Sequence, residues 1–123
     1  MALGRDEVVD LPGGYIGEVA GRTYAENRPY LVPETMEELA GPLTGFVILP
    51  ERLDWSERAG FRLDDPAERN LMYERVIREA ARPDDLRAYL NGEVLQDVWR
   101  SLYLPFQVRR LWEARFPALA LAA

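Results

Sequence analysis

Lysine, histidine and cysteine are all absent from this 123-residue chain, so its fifteen positive charges are all arginine. Without histidine there is no side chain that titrates near neutrality, hence no ordinary general base, proton shuttle or imidazole metal ligand. Without cysteine there are no disulfides, thiolate nucleophiles or thiolate zinc sites. The lack of lysine excludes Schiff-base chemistry and the phosphate-binding lysine of a P-loop. Carboxylate, hydroxyl, phenol and guanidinium groups remain. Replacement of lysine by arginine is what a GC-rich genome would produce, and the chemical exclusions hold whatever their origin. Long apolar runs are also missing: none approaches the roughly 20 residues that a membrane helix requires, and no charged-then-apolar leader opens the chain. The expectation is a cytoplasmic protein with no membrane association.

What is present fits a folded domain. Hydrophobic residues make up 48% and aromatics 11% of the chain, and its length suits one domain over residues 1–123 with a core that needs no staples. Residues 1–10 and 118–123 are expected to be flexible. The net charge of −6 is unevenly divided: residues 1–65 carry 6 Arg against 13 acids, whereas residues 66–123 carry 9 Arg against 8. The acidic half disfavours nucleic acid and suits a partner with a basic surface. A small basic end follows, with Arg100, Arg109, Arg110 and Arg115 against Glu113.

Turn and strand signals dominate the first half. Pro12-Gly13-Gly14 predicts a turn, Tyr15–Ala20 a short strand ended by Gly21, and Pro33–Ala40 one turn of helix within an extended stretch. Thr44–Leu49 reads as a strand stopped by Pro50. Arg52–Ser56 and Phe61–Leu63 alternate polar and apolar, which predicts a hairpin burying Leu53, Trp55, Phe61 and Leu63.

Helix signals dominate the second half. Asp65-Pro66-Ala67-Glu68 is a capping box, and Met72, Tyr73, Val76, Ile77 and Ala80 follow it on one stripe, with Glu74/Arg78 and Arg75/Glu79 as pairs on the solvated side. Further helices are expected from Pro83 to Leu90, ended by Asn91-Gly92, from Glu93 to Leu102 with Val94, Leu95, Val98 and Trp99 inward, and after Pro105 with Val108, Leu111 and Trp112 inward. The predicted fold class is α+β, a small antiparallel sheet from the first half packed against three or four helices from the second.

Motifs for chemistry are few. Asp64-Asp65 with Glu68, and Asp84-Asp85, lack the alternation and glycine of a calcium loop and read as helix caps, so no metal or cofactor is expected. Gly41–Gly45 is no P-loop and Gly13–Gly17 no dinucleotide fingerprint. A carboxylate-only hydrolase remains conceivable, since glycosidase-type chemistry needs only an acid and a base, but no spacing marks such a pair. A helix-turn-helix reading of Arg100–Arg110 would put Gln107, Arg109 and Arg110 against base edges as a DNA-binding regulator. The leading expectation is a non-enzymatic protein-interaction module, with a homo-oligomer as one form of it. Tyr24 and Tyr30 lie in a proline-bearing loop and Trp55 in a polar stretch, so these three are the candidate partner contacts.

The succession Gly41-Pro42-x-Thr44-Gly45, Leu49-Pro50, Leu53-x-Trp55, Leu63-Asp64-Asp65-Pro66, Tyr73-Glu74-x-Val76, Asp85-Leu86-x-x-Tyr89-Leu90 and Leu104-Pro105-x-x-Val108-Arg109-Arg110-Leu111-Trp112-Glu113-x-x-Phe116-Pro117 resembles a group of short, uncharacterised proteins of GC-rich bacteria. The resemblance covers about Gly41 to Leu119. Such proteins are often encoded beside nucleotidyltransferase-like toxins, so the resemblance implies an antitoxin-like or accessory role, and it carries over no functional residues.

Overall fold

The computed structural model describes residues 30–56 and 58–121; Tyr24 and the turn and strand expected between Pro12 and Gly21 lie outside them. Two strands form an antiparallel pair, β1 (Phe46–Val47) and β2 (Phe61–Arg62), with Phe46 opposite Arg62 and Val47 opposite Phe61. Five helices follow: α1 (Pro66–Glu79), α2 (Pro83–Tyr89), α3 (Gly92–Val98), α4 (Phe106–Arg115) and α5 (Pro117–Leu121), with a 3-10 turn at Trp99–Ser101 after α3. The fold is α+β and mostly helical. Among the described residues no helix is long and apolar enough to cross a membrane.

The sheet is smaller than the sequence predicts and differently paired. Thr44–Leu49 contracts to β1, and β1 rather than Arg52–Ser56 pairs with β2. Pro50 cannot donate to a ladder, and its carbonyl instead accepts the N–H groups of Leu53 (2.9 Å) and Asp54 (3.1 Å), which coils the segment into a turn. The Asp54 carboxylate then accepts the Ser56 N–H, a local bond that competes with strand pairing. Leu53, Phe61 and Leu63 are buried as expected, but Trp55, thrown out of the supposed hairpin, is exposed.

Helix α1 begins as its sequence dictates, with the Asp65 carboxylate accepting from Ala67 and Glu68 N–H. The reciprocal half of the capping box does not close on Asp65. Glu68 reaches past it to the Arg62 N–H (2.8 Å), tying the helix start to β2. Met72, Tyr73, Val76 and Ile77 are buried along one stripe, and the Tyr73 hydroxyl accepts the Asn91 N–H (3.0 Å). On the other side Glu74 accepts the Tyr103 N–H (2.8 Å) and Arg75 reaches Asp54 (3.6 Å), so both groups serve tertiary contacts.

The remaining helices enclose two tryptophans. Trp99 and Trp112 are fully buried with ring centroids 5.7 Å apart, and Phe116 lies 6.4 Å from Trp112. Glu113 accepts the Trp99 indole N–H (2.8 Å), which satisfies a polar group that would otherwise be costly inside an apolar core. Asn91, expected to stop α2, also caps α3 by accepting from Glu93 and Val94 N–H. Leu111, expected inward, is exposed, because the helix turns Val108 and Trp112 to the core. The tail expected to be loose from Ala118 forms α5 through Leu121, anchored by the fully buried Leu119.

A second crossing links the two halves. Thr35 and Glu38 form a reciprocal capping box, but the turn of helix expected over Pro33–Ala40 is only a hydrogen-bonded turn, closed by the Leu39 N–H on the Met36 carbonyl (3.1 Å). Ala40 bridges Asn91, flanked by Gly41 N–H to Leu90 C=O and Gly92 N–H to Leu39 C=O, each 2.8 Å. A Cβ on Gly92 would stand 2.4 Å from the Met36 carbonyl oxygen, and one on Gly41 2.7 Å from the Tyr89 carbonyl carbon. Backbone cannot yield cheaply there. Gly92→Ala is therefore expected to lower stability by about 2–3 kcal/mol as overpacking against main chain. Gly45, the one described glycine at positive φ (99°), has open space around its Cβ position, so Gly45→Ala should cost only about 1 kcal/mol of backbone strain. Urea unfolding of the two variants checks the ranking.

Candidate partner-binding surfaces

Strand alternation decides what the sheet presents. Val47, Leu49, Phe61 and Leu63 turn toward the core, leaving Phe46, Ile48 and Arg62 on the other face. A sheet with one solvated face ordinarily carries polar residues there. Here Phe46 is 55% and Ile48 68% exposed. A Cβ on Gly60, the residue before β2, would be 2.6 Å from the Phe46 ring, so this glycine leaves the room that the aromatic occupies. Leu43 and Trp55, from the same stretch of chain, are also exposed, Trp55 by 65%.

The stretch that bears these residues is fixed from below by one carboxylate. Asp85, 3% exposed, accepts both arms of the Arg52 guanidinium (2.9 and 2.6 Å) and the N–H groups of Ala81 (3.0 Å) and Arg82 (3.2 Å). The Arg52 bonds, opposed by desolvation and aided by the two N–H donors, hold the Asp85 carboxyl far below the ordinary carboxylate range. The pair joins the Pro50–Asp54 turn to the corner between α1 and α2. Asp84-Asp85 thus does belong to a helix start, as its sequence suggests, with an added tertiary role that sequence spacing does not show.

Of the predicted contacts, Trp55 is on the surface, Tyr30 is half-buried against the core cluster, and Tyr24 lies outside the described residues. The structure does not give Tyr30 and Trp55 equal standing as surface groups. Phe46 and Ile48 were missed. The signal was the unbroken run Phe46-Val47-Ile48-Leu49, which makes both faces of a strand apolar where strict alternation would leave one polar.

The residues of the helix-turn-helix reading separate. Gln107 and Arg110 are exposed, and Arg110 stacks over Phe106 at 5.5 Å. Arg109 is turned inward, donating to the main-chain carbonyls of Trp99 (3.2 Å) and Leu102 and lying over the Trp99 ring at 5.2 Å. It fastens the 3-10 turn to α4, so Arg109 does not present its guanidinium beside Gln107 and Arg110 as the helix-turn-helix reading requires. Tyr103 and Phe106 beside them are exposed.

Two hollows of about 350 and 340 Å³ share Met36, Glu37 and Gln96 and lie between the Thr35–Ala40 segment and α3 or α5. Among the described residues, no group of three or more carboxylates comes together in a way that could hold a metal ion. No protein-family model, curated protein or solved structure matches the chain.

The Asp85 clamp makes stability depend on acid. A carboxyl whose folded pKa is depressed stabilises the fold above its unfolded pKa, near 3.9, and loses that contribution as pH falls toward the folded value. The wild type should therefore lose stability below about pH 4. Asp85→Asn, which removes the charge and leaves Arg52 without its partner, should cost roughly 2–4 kcal/mol at pH 7. Its stability should vary less with pH than the wild type's between pH 5 and 2, measured by thermal unfolding.

Proposed function

We propose that this chain is a non-enzymatic protein-interaction module that docks a protein partner through the outward face of its sheet. The observation that carries this reading is the exposure of Phe46 and Ile48 on that face, with Leu43 and Trp55 beside them. Large apolar side chains in that setting are what a docking surface is made of, and aromatic anchors contribute most to such interfaces. The anchors also sit on fixed backbone, since Asp85 holds the turn between Ile48 and Trp55 through Arg52. Pre-set anchors lose less conformational entropy on binding.

The excess of acid in residues 1–65 supports a partner with a basic surface, whose encounter would be accelerated and whose complex would loosen with salt. An antitoxin-like role, implied by the family resemblance, would be one form of this function. A second copy of the chain is the competing occupant.

The test compares wild type with Ile48→Glu/Trp55→Ala. Both side chains are exposed, so the double variant should keep its thermal midpoint within a few degrees of wild type. The partner captured by wild type is purified and recombined with each form, and the variant should bind about tenfold or more weakly. Equal affinity for the two forms would remove this surface from the complex. A concentration-dependent dimer, seen by light scattering and abolished by the variant, would replace the heterologous partner with a second copy.

A further inference from the structure

The sheet is not the only place where apolar groups face solvent. Helix α4 buries Val108 and Trp112 and turns Phe106, Gln107, Arg110, Leu111 and Ala114 outward. These exposed positions recur at i, i+1, i+4, i+5 and i+8 and so make a continuous stripe along one side of the helix. Tyr103 precedes it and is 81% exposed; Phe106 is 69% exposed. This stripe lies on a separate element from β1, and its case does not rest on the sheet face.

Its anchors are held in place. Tyr103 stands between buried Leu102 and Leu104, and its N–H is fixed by Glu74 of α1. Arg109 fastens the turn just before it to α4, and Arg110 lies over the Phe106 ring. Two exposed aromatics and an arginine on fixed backbone are the composition of an interface centre.

Charge selects the occupant. Residues 100–123 contain four arginines and one acid, Glu113, in a chain whose total is −6. The Glu113 carboxylate accepts the Trp99 indole N–H and the Glu74 carboxylate accepts the Tyr103 N–H, so both acids beside the stripe are engaged, and its exposed α4 positions are apolar, amide or cationic. A basic surface set against this stripe would meet Arg110 with like charge. Nucleic acid would need several cations to displace counterions from its phosphates, and of the two arginines in the base-reading set with Gln107, Arg109 is engaged by carbonyls and leaves Arg110 alone on the stripe. We infer that the α4 stripe docks an acidic amphipathic helix of a protein partner, its apolar side on Tyr103, Phe106 and Leu111 and its carboxylates toward Arg110. A helix laid along α4 would match its length of about 15 Å and pack ridges into grooves.

The full chain is titrated into a fluorescein-labelled 18-residue peptide with leucine at helical i, i+3, i+4 spacing and glutamate elsewhere, and into a scrambled peptide of the same composition. Fluorescence anisotropy should show binding of the patterned peptide at least about tenfold tighter than the scrambled one, and weaker in 300 mM than in 50 mM salt. Tyr103→Ala/Phe106→Ala should weaken it about tenfold. Arg110→Glu, whose side chain is exposed, should weaken it and lessen the salt dependence, which keeps the test decisive if the double variant fails to fold. Ile48→Glu/Trp55→Ala should bind as wild type does. No binding of the patterned peptide, equal binding of the scrambled one, or insensitivity to both sets of α4 changes would overturn the inference. Tighter binding of a 20-nucleotide oligothymidine, lost in the same variants, would overturn it in favour of a nucleic-acid surface.

Discussion

The arrangement of the chain depends on a buried carboxylate at the corner between α1 and α2. Asp85 sits where Ala81 and Arg82 leave two N–H groups unpaired by any helix, and it accepts both along with the fork of Arg52, 33 residues earlier in sequence. A buried carboxylate survives only if its oxygens are satisfied, and these are. Through Arg52 it draws the Pro50–Asp54 turn onto the helices, which sets Leu53 into the core and directs Trp55 away from it. The apolar outer face of the sheet is presented by backbone that this one group holds from beneath.

Arginine does comparable work elsewhere in the fold. Arg109 joins two carbonyls and a tryptophan ring, Arg87 bridges Asp84 and Glu38, and Arg75 reaches Asp54. Arg109 and Arg87 each use more than one nitrogen of a planar, multi-donor head that lysine lacks. The all-arginine composition therefore has structural consequences even where genome composition is its origin. It also explains why charge counting misjudges this surface: guanidinium groups that read as solvated cations are partly engaged as internal donors, and the outward character of α4 comes from Phe106, Arg110 and Leu111.

The helical half was legible because its signals are local. Asp65-Pro66 fixes a helix start through side-chain acceptance and a preset φ, and the 3.6-residue period of Met72, Tyr73, Val76 and Ile77 names the buried stripe without reference to anything distant. Pro83 and Pro105 mark helix starts through proline's preset φ alone, with no capping side chain on the N-cap residue. The sheet was legible only as a class. Which segment pairs with Phe61-Arg62 depends on contacts between residues far apart, and the alternation in Arg52–Ser56 was overridden by the turn at Pro50 and by the Asx bond of Asp54. Helix α5 escaped notice because Ala-Leu-Ala-Leu carries no cap, and its order comes from burying Leu119 against other elements. The candidate surfaces are legible only in part: the polar neighbours of Trp55 mark it as exposed, whereas Phe46 and Ile48 have the sequence character of ordinary strand residues.

The sequence by itself determined the chemistry open to this protein, since the absence of lysine, histidine and cysteine cannot be altered by folding, and it determined where the helices begin, since caps and prolines act on their neighbours. Only the tertiary structure decided which aromatics are core and which are surface. Trp99, Trp112 and Trp55 are chemically the same side chain, and their fates differ because two lie on helix faces that close on each other while the third is carried outward by a turn fixed through Asp85. Exposure is a property of what packs against a residue, and that is settled by contacts the linear order does not contain.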